Sequence, residues 1–231
     1  ARQPYVAITG LALMLAADIG LFWHVLQNGT VAMTMGRWLP PFGITFAADM
    51  LGATFALIAG IVAFVILDFA VWLEHVVSHK VPLFWRFHRM HHADNGFDVT
   101  TALRFHPVEI VASMFWKAAI VIALGAPPVA VLVFEIVLNG TAMFNHSNVD
   151  LPRGIDRHLR KVLVTPDMHR VHHSTIRRET DSNYGFNFPF WDRLFATYNA
   201  QPKLGHEGME IGLKEYRGKQ SAGLLWALGL P

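Results

Sequence analysis

The 231-residue chain contains no cysteine. Disulfides, thiolate metal ligands, iron–sulfur clusters and a cysteine nucleophile are therefore excluded. Charge is scarce as well: Asp, Glu, Lys and Arg make up 16% of the residues, against about 25% in an ordinary soluble domain. There is no GxGxxG or Walker loop, no heptad seam and no fixed glycine period, so the sequence offers no nucleotide loop, coiled coil or collagenous repeat. The formal net charge of +2 points to no nucleic-acid partner. A pI near 9.1 suits a protein lying against anionic lipid headgroups.

Hydrophobicity is what the chain has in excess, at 53% apolar residues and a mean hydropathy of +0.33. The run 5–26 is broken only by Thr9, Asp18 and His24, and at 1.5 Å per residue it can cross a hydrocarbon core about 30 Å thick. A second span is expected over 44–67, with Asp49 near its start, after a loop containing Gly36, Arg37, Pro40, Pro41 and Gly43. Spans over 108–124 and 129–144 are joined by Gly125-Ala126-Pro127-Pro128 as a tight helical hairpin. Each arm has about 17 residues, the lower limit for a span, so full crossing and a re-entrant pair both fit. Lys117 and Glu135 lie at similar depth in the two arms and are expected to pair. Lys80, Arg86, Arg89 and Arg104 follow the second span, and twelve more Lys or Arg follow Asp150, whereas the first loop has only Arg37. The positive-inside rule places both basic segments in the cytoplasm. The expected fold is an all-α integral membrane domain over 1–231, with about four transmembrane helices in two hairpins and a cytoplasmic histidine-rich helical cap formed by 68–107 and 145–220.

Thirteen residues are histidine. Eight form three clusters, His75-Val-Val-Ser-His79, His88-Arg-Met-His91-His92 and His169-Arg-Val-His172-His173. Spacings of three and four place the members of a cluster on one helix face, roughly 5–6 Å apart. Such a row can put two rings on one metal or divide neighbours such as His91 and His92 between two metals. One HxxHH arises by chance in a few per cent of chains this long; two together with an HxxxH arise in under about one in a thousand, which favours metal over coincidence. His146, in Asn145-His146-Ser147-Asn148, emerges on the same side as a ninth ligand. His106 reads as a loop residue bonded to a backbone carbonyl, and His158 and His206 as solvated. The carboxylates of Asp68 and Glu74 lead into His75 and are candidates to take imidazole N–H groups. Eight or more imidazoles suit a pair of iron ions better than a structural zinc, which needs four ligands. The Phe186, Phe188, Phe190, Trp191 and Phe195 cluster reads as packing rather than pocket. The rival reading is a non-catalytic metal-binding or zinc-transporting membrane protein, but the histidines cluster at span ends instead of lining a path across the bilayer.

At these residues the chain resembles the fatty acid hydroxylase/sterol desaturase superfamily, the membrane-bound di-iron oxygenases with HX3H, HX2HH and HX2HH boxes. The resemblance covers about 68–198 and includes Arg104-Phe-His-Pro-Val-Glu109, Thr165-Pro-Asp-Met-His169, Asp181-Ser-Asn-Tyr-Gly185 and Trp191-Asp-Arg-Leu-Phe195. It implies that His75, His79, His88, His91, His92, His169, His172 and His173, with His146, hold two iron ions that activate dioxygen, zinc being able to replace them in a purified sample. Asp181 and Asn183 would support the ligands by the same analogy. It further implies hydroxylation or desaturation of a lipid C–H bond, with hydroxylation the leading expectation; sterol, fatty acyl, carotenoid and ether lipids all fit. Electrons are expected from a separate cytochrome, ferredoxin or reductase, and the protein is expected in a bacterial inner membrane or the endoplasmic reticulum. Ala196 departs from the pattern, where glycine is expected after Trp-Asp-Arg-Leu-Phe.

Overall fold

A computed structural model describes residues 19–34, 45–218, 221 and 223–231. Most of the first expected span, before residue 19, lies outside the described residues, as do the loop residues Gly36, Arg37, Pro40, Pro41 and Gly43; residues 19–28 are helical. Strands β1 (Val31–Thr34) and β2 (Thr45–Ala48) pair antiparallel, with Val31 opposite Ala48 and Thr34 opposite Thr45. The second span consequently starts later than 44. Asp49 caps helix α1 (Met50–Lys80), its carboxylate accepting from the Gly52 amide at 2.6 Å.

Helix α1 also runs past the boundary expected at 67. Polarity rises from Asp68 onward, but no glycine or proline interrupts the backbone before Pro82. The residue ahead of that proline, Val81, turns to φ −97° and ψ 117° and ends the helix. At 1.5 Å per residue the 31 residues extend about 46 Å, longer than the hydrocarbon core. One continuous rod therefore carries the apolar span at one end and His75 and His79 at the other.

Helix α2 (Pro82–His92) turns back from α1. Helices α3 (Pro107–Leu124) and α4 (Pro128–Asn145) agree with expectation to within one residue at each end. Both begin on proline, whose missing N–H would have no partner in a first turn, and Gly125 ends α3 at φ 59°. Helices α1, α3 and α4 are long and apolar enough to cross a membrane. Their outer faces leave Phe55, Phe115 and Ile122 more than 60% exposed, a surface suited to lipid rather than water, and the chain is an integral membrane protein. Inside, Leu67 and Val71 of α1 meet Phe134 of α4, and Phe64 stands edge-on to Phe134 at 5.2 Å. The Trp116 indole N–H donates to the Ala70 carbonyl at 3.0 Å and ties α3 to α1.

Past α4 the chain forms short helices and loops, among them α5 (Arg153–Leu159), α6 (Pro166–His172), α7 (Arg177–Thr180) and α8 (Phe190–Leu194). This layer is fastened to α1 by Asp192, which is fully buried. Its carboxylate accepts from the Trp72 indole at 3.1 Å, the Tyr184 and Gly185 amides at 2.9 and 2.8 Å, and the Thr197 hydroxyl at 2.7 Å. At Gly185 a Cβ would stand 2.7 Å from the Phe188 carbonyl oxygen, so the close approach requires glycine. Trp72 stacks on Phe195 at 4.7 Å and Phe188 on Phe190 at 5.0 Å, with Trp191 against Phe190, so these rings pack as expected, whereas Phe186 lines a cavity and departs from that expectation.

Ala196 has φ 57°, in the left-handed region that glycine enters freely and other residues enter at a cost of roughly 1–2 kcal/mol. That conformation accounts for the glycine expected there. Ala196→Gly is predicted to stabilise the protein by about 1 kcal/mol, read as a raised thermal unfolding midpoint; a lowered midpoint would contradict the strain.

Candidate metal centre

The continuous α1 rod brings His75 and His79 to the membrane-distal end of the bundle, and the Val81–Pro82 turn folds α2 back so that His88, His91 and His92 face them. His146 follows α4 at the same end. Thr165 and Pro166 start α6, which presents His169 and His172, with His173 closing the helix. All nine rings come together, and none is more than 3% exposed.

They form two groups. His75, His79, His88, His92 and His172 offer nitrogens that all lie within 4.8 Å of one another, and so do His91, His146, His169 and His173. Both HxxHH rows are thus divided, while His75 and His79 stay in one group. Residues four apart stay together, as His88 with His92 and His169 with His173, while the third member, His91 or His172, points into the other group. The rotation of about 100° per residue on a helix produces that split.

The outer nitrogens explain the orientation. His75, His91, His146 and His172 donate Nδ1–H to the carbonyls of Tyr184, Thr101, Ala142 and Ser182 at 2.7, 3.1, 2.7 and 2.7 Å. A carbonyl oxygen only accepts, so the proton sits on Nδ1 and each Nε2 keeps its lone pair. Yet the Nε2 atoms of His91 and His146 are 3.2 Å apart, lone pair against lone pair. The Nε2 atoms of His75 and His88 are 3.1 Å apart and those of His146 and His169 3.0 Å apart. His79 Nε2, His172 Nε2 and both ring nitrogens of His173 are buried with no hydrogen-bond partner among the described residues. A cation in each group satisfies one lone-pair nitrogen on each ring, so the residues fit metal ions.

Local structure sets the supports. Asp98 accepts from the Thr100 amide at 2.7 Å while the Thr101 hydroxyl accepts from the Asp98 amide at 3.0 Å, and this capped 3-10 turn, Val99–Leu103, aims the Thr101 carbonyl at His91. Phe105 stacks on the His91 ring at 4.3 Å. Asn183, at φ 52°, adopts the left-handed conformation that asparagine tolerates and donates to the Met168 and Asn199 carbonyls at 2.9 and 2.8 Å, holding the loop that presents Ser182 and Tyr184. Burial strips water from the rings and draws His91, His92, His169 and His173 well below the ordinary imidazole range and His172 to about 3. Neutral imidazole is the form that binds metal.

Among the anticipated supporting residues, Asp181 meets His79 Nδ1 at 3.4 Å and also binds Lys80 and Arg177, each at 3.0 Å. Asn183 acts through the loop and touches no imidazole. Asp68 instead accepts from the Trp191 indole at 2.7 Å, and Glu74 from the Ser113 hydroxyl at 3.1 Å. A second carboxylate that meets a ring is Glu109 in the first turn of α3, 2.6 Å from His88 Nδ1. Its signal in the sequence is an acid three residues past His106 at the start of a span. His106 itself caps α3 and bonds the Leu228 carbonyl at 3.3 Å, a loop role as expected. Lys117 and Glu135 pair at 2.6 Å. A cavity of about 320 Å³ opens beside His75 and His88 and extends between α1, α3 and α4.

The profile of the fatty acid hydroxylase family matches residues 60–197, which contain all nine histidines. The chain belongs to this family. Fatty acid hydroxylases are iron-dependent lipid-hydroxylating enzymes. Similar members include ornithine lipid hydroxylase OlsE of Rhizobium tropici, 30% identical over 80% of this chain and 53% of that protein. Human alkylglycerol monooxygenase is 32% identical over 60% of this chain and 30% of its own length. The cholesterol 25-hydroxylase-like protein of Danio rerio is 26% identical over 86% and 77%. The chain spans about half the length of the first of these relatives and under a third of the second. No solved structure matches it.

A pH dependence follows from the buried rings. The unfolded chain takes up protons at His91, His92, His169, His172 and His173 near pH 6.5, whereas burial opposes this in the folded metal-free chain, so its stability falls as pH drops below about 6.5. The unfolding midpoint of the metal-free protein is expected to decline from about pH 7.5 to about pH 5.5. A flat profile over that interval would contradict burial of neutral imidazoles.

Proposed function

We propose that this fatty acid hydroxylase family member is a membrane-bound di-iron oxygenase that uses dioxygen and external electrons to hydroxylate a C–H bond of a lipid. The observation that carries the reading is the meeting of nine buried imidazoles in groups of five and four, with the proton-bearing nitrogens of His75, His91, His146 and His172 turned outward to carbonyls. His75, His79, His88, His92 and His172 would hold one iron and His91, His146, His169 and His173 the other. Iron bound there supplies dioxygen activation and hydrogen abstraction from an unactivated C–H bond.

The chain's own residues do the rest. Glu109 and Asp181 hold the His88 and His79 rings, Asn183 fixes the loop behind them, and Phe105, Phe186 and Tyr184 keep water from the centre. The cavity beside His75 and His88 receives the lipid from the bilayer without carrying it into water. Hydroxylation is favoured over desaturation because the names of the relatives are hydroxylases and a monooxygenase. We read the membrane part as four spans in two hairpins, the segment before residue 29 providing the first, with the whole chain one domain. The basic residues Lys80, Arg86, Arg89, Arg104 and those after Asp150 support a cytoplasmic histidine end in this reading. A separate protein, a cytochrome, ferredoxin or reductase, delivers electrons there.

Metal analysis of the purified protein is expected to give about two irons per chain, with dioxygen consumption that requires a reductant. Stoichiometric zinc with no turnover under iron reconstitution would favour the storage or transport reading. His172→Ala is expected to lower metal content and abolish activity while leaving the protein inserted; full activity in that variant would refute the assignment of the third histidine row.

A further inference from the structure

The cavity beside His75 and His88 has polar walls that a purely hydrocarbon occupant does not need. Glu74, Ser113, Lys117, Glu135 and Asn139 all line it, on helices that face lipid elsewhere. Two separate contacts sit in that wall: the Lys117 ammonium donates to Glu135 at 2.6 Å, and the Ser113 hydroxyl donates to Glu74 at 3.1 Å. Ionisable groups at membrane depth are expensive, and an ion pair serving only to join α3 to α4 would be better packed than left lining an opening.

The charge balance selects the occupant. Lys117 is matched by Glu135, and among the described lining residues no other Lys or Arg is present, whereas Glu74 and Glu109 add further carboxyl groups. At the Lys117–Glu135 end a free carboxylate or phosphate would find the one ammonium already paired with a carboxylate. A hydroxyl can donate to Glu135 while accepting from Lys117 or from the Asn139 amide. We infer that the Lys117–Glu135 end of the cavity binds the hydroxyl of an uncharged lipid whose C–H bond is presented to the centre at His75 and His88. The statement about the reacting bond rests on the function proposed above. Glu109, which touches His88, and Lys117 are eight residues apart on α3, about 12 Å along its axis. The oxidised carbon is therefore remote from the hydroxyl and not adjacent to it.

The test uses the full chain in nanodiscs, offered hexadecan-1-ol, hexadecanoate and hexadecane in competition at about pH 8, where the acid is ionised, with bound lipid quantified by mass spectrometry and iron measured on the same samples. The unaltered chain is expected to retain the alcohol at least about tenfold over either competitor. The double variant Lys117→Met/Glu135→Leu is expected to lose that preference while still binding hexadecane and iron. Equal or tighter binding of hexadecanoate, or a folded double variant that keeps the preference, would overturn the inference. If the variant does not fold, the three-way competition on the unaltered chain decides alone. Preference for the alcohol in a chain that takes up no iron would count against the proposed oxygenase and leave the binding site standing; iron uptake without the preference would do the reverse.

Discussion

Electrostatic repulsion among nitrogen lone pairs governs this structure. Nine imidazoles are buried, burial draws His91, His92, His169 and His173 well below the ordinary imidazole range, and the Nε2 atoms of His91 and His146 stand 3.2 Å apart, lone pair against lone pair. Packed apolar side chains would be a less costly filling for the same space. The arrangement persists because the surrounding backbone holds four of the rings from behind, through the carbonyls of Thr101, Ala142, Ser182 and Tyr184. Asp192 anchors the segment that carries Tyr184, and Asn183 the one that carries Ser182. The positioning of the centre is thus a property of loops stapled to a rod, with α1 as the rod.

The same rod joins the two halves of the protein's chemistry. Its outer face is apolar along the lower turns, and its last turns carry His75 and His79, so the cavity between α1, α3 and α4 adjoins both the apolar span and the histidines. Glu109 shows this economy of placement: on the first turn of a spanning helix, it braces a ring of the cap.

Much of this was legible in the sequence, for identifiable reasons. The α3 and α4 limits could be read because Pro107, Gly125 and Pro128 punctuate apolar runs. The α1 limit could not be read from polarity, since Asp68 changes the chemistry of the surface while the backbone continues to Val81. The histidine rows stood out, and even the division of His91 from His92 was foreseeable from helical rotation. Their partners were less visible: four are backbone carbonyls, which every residue possesses and no sequence pattern marks. Proximity in sequence misled for Asp68 and Glu74. Two helical turns place Asp68 about 10 Å from His75 along the axis, and Glu74, one residue away, is rotated toward α3 and Ser113.

X-ray absorption at the iron edge on the reconstituted protein tests the central claim most directly. The account requires a first shell dominated by imidazole nitrogen together with a second iron as a resolvable neighbour. A spectrum showing isolated iron in an oxygen-rich shell, with no histidine scattering, would contradict it.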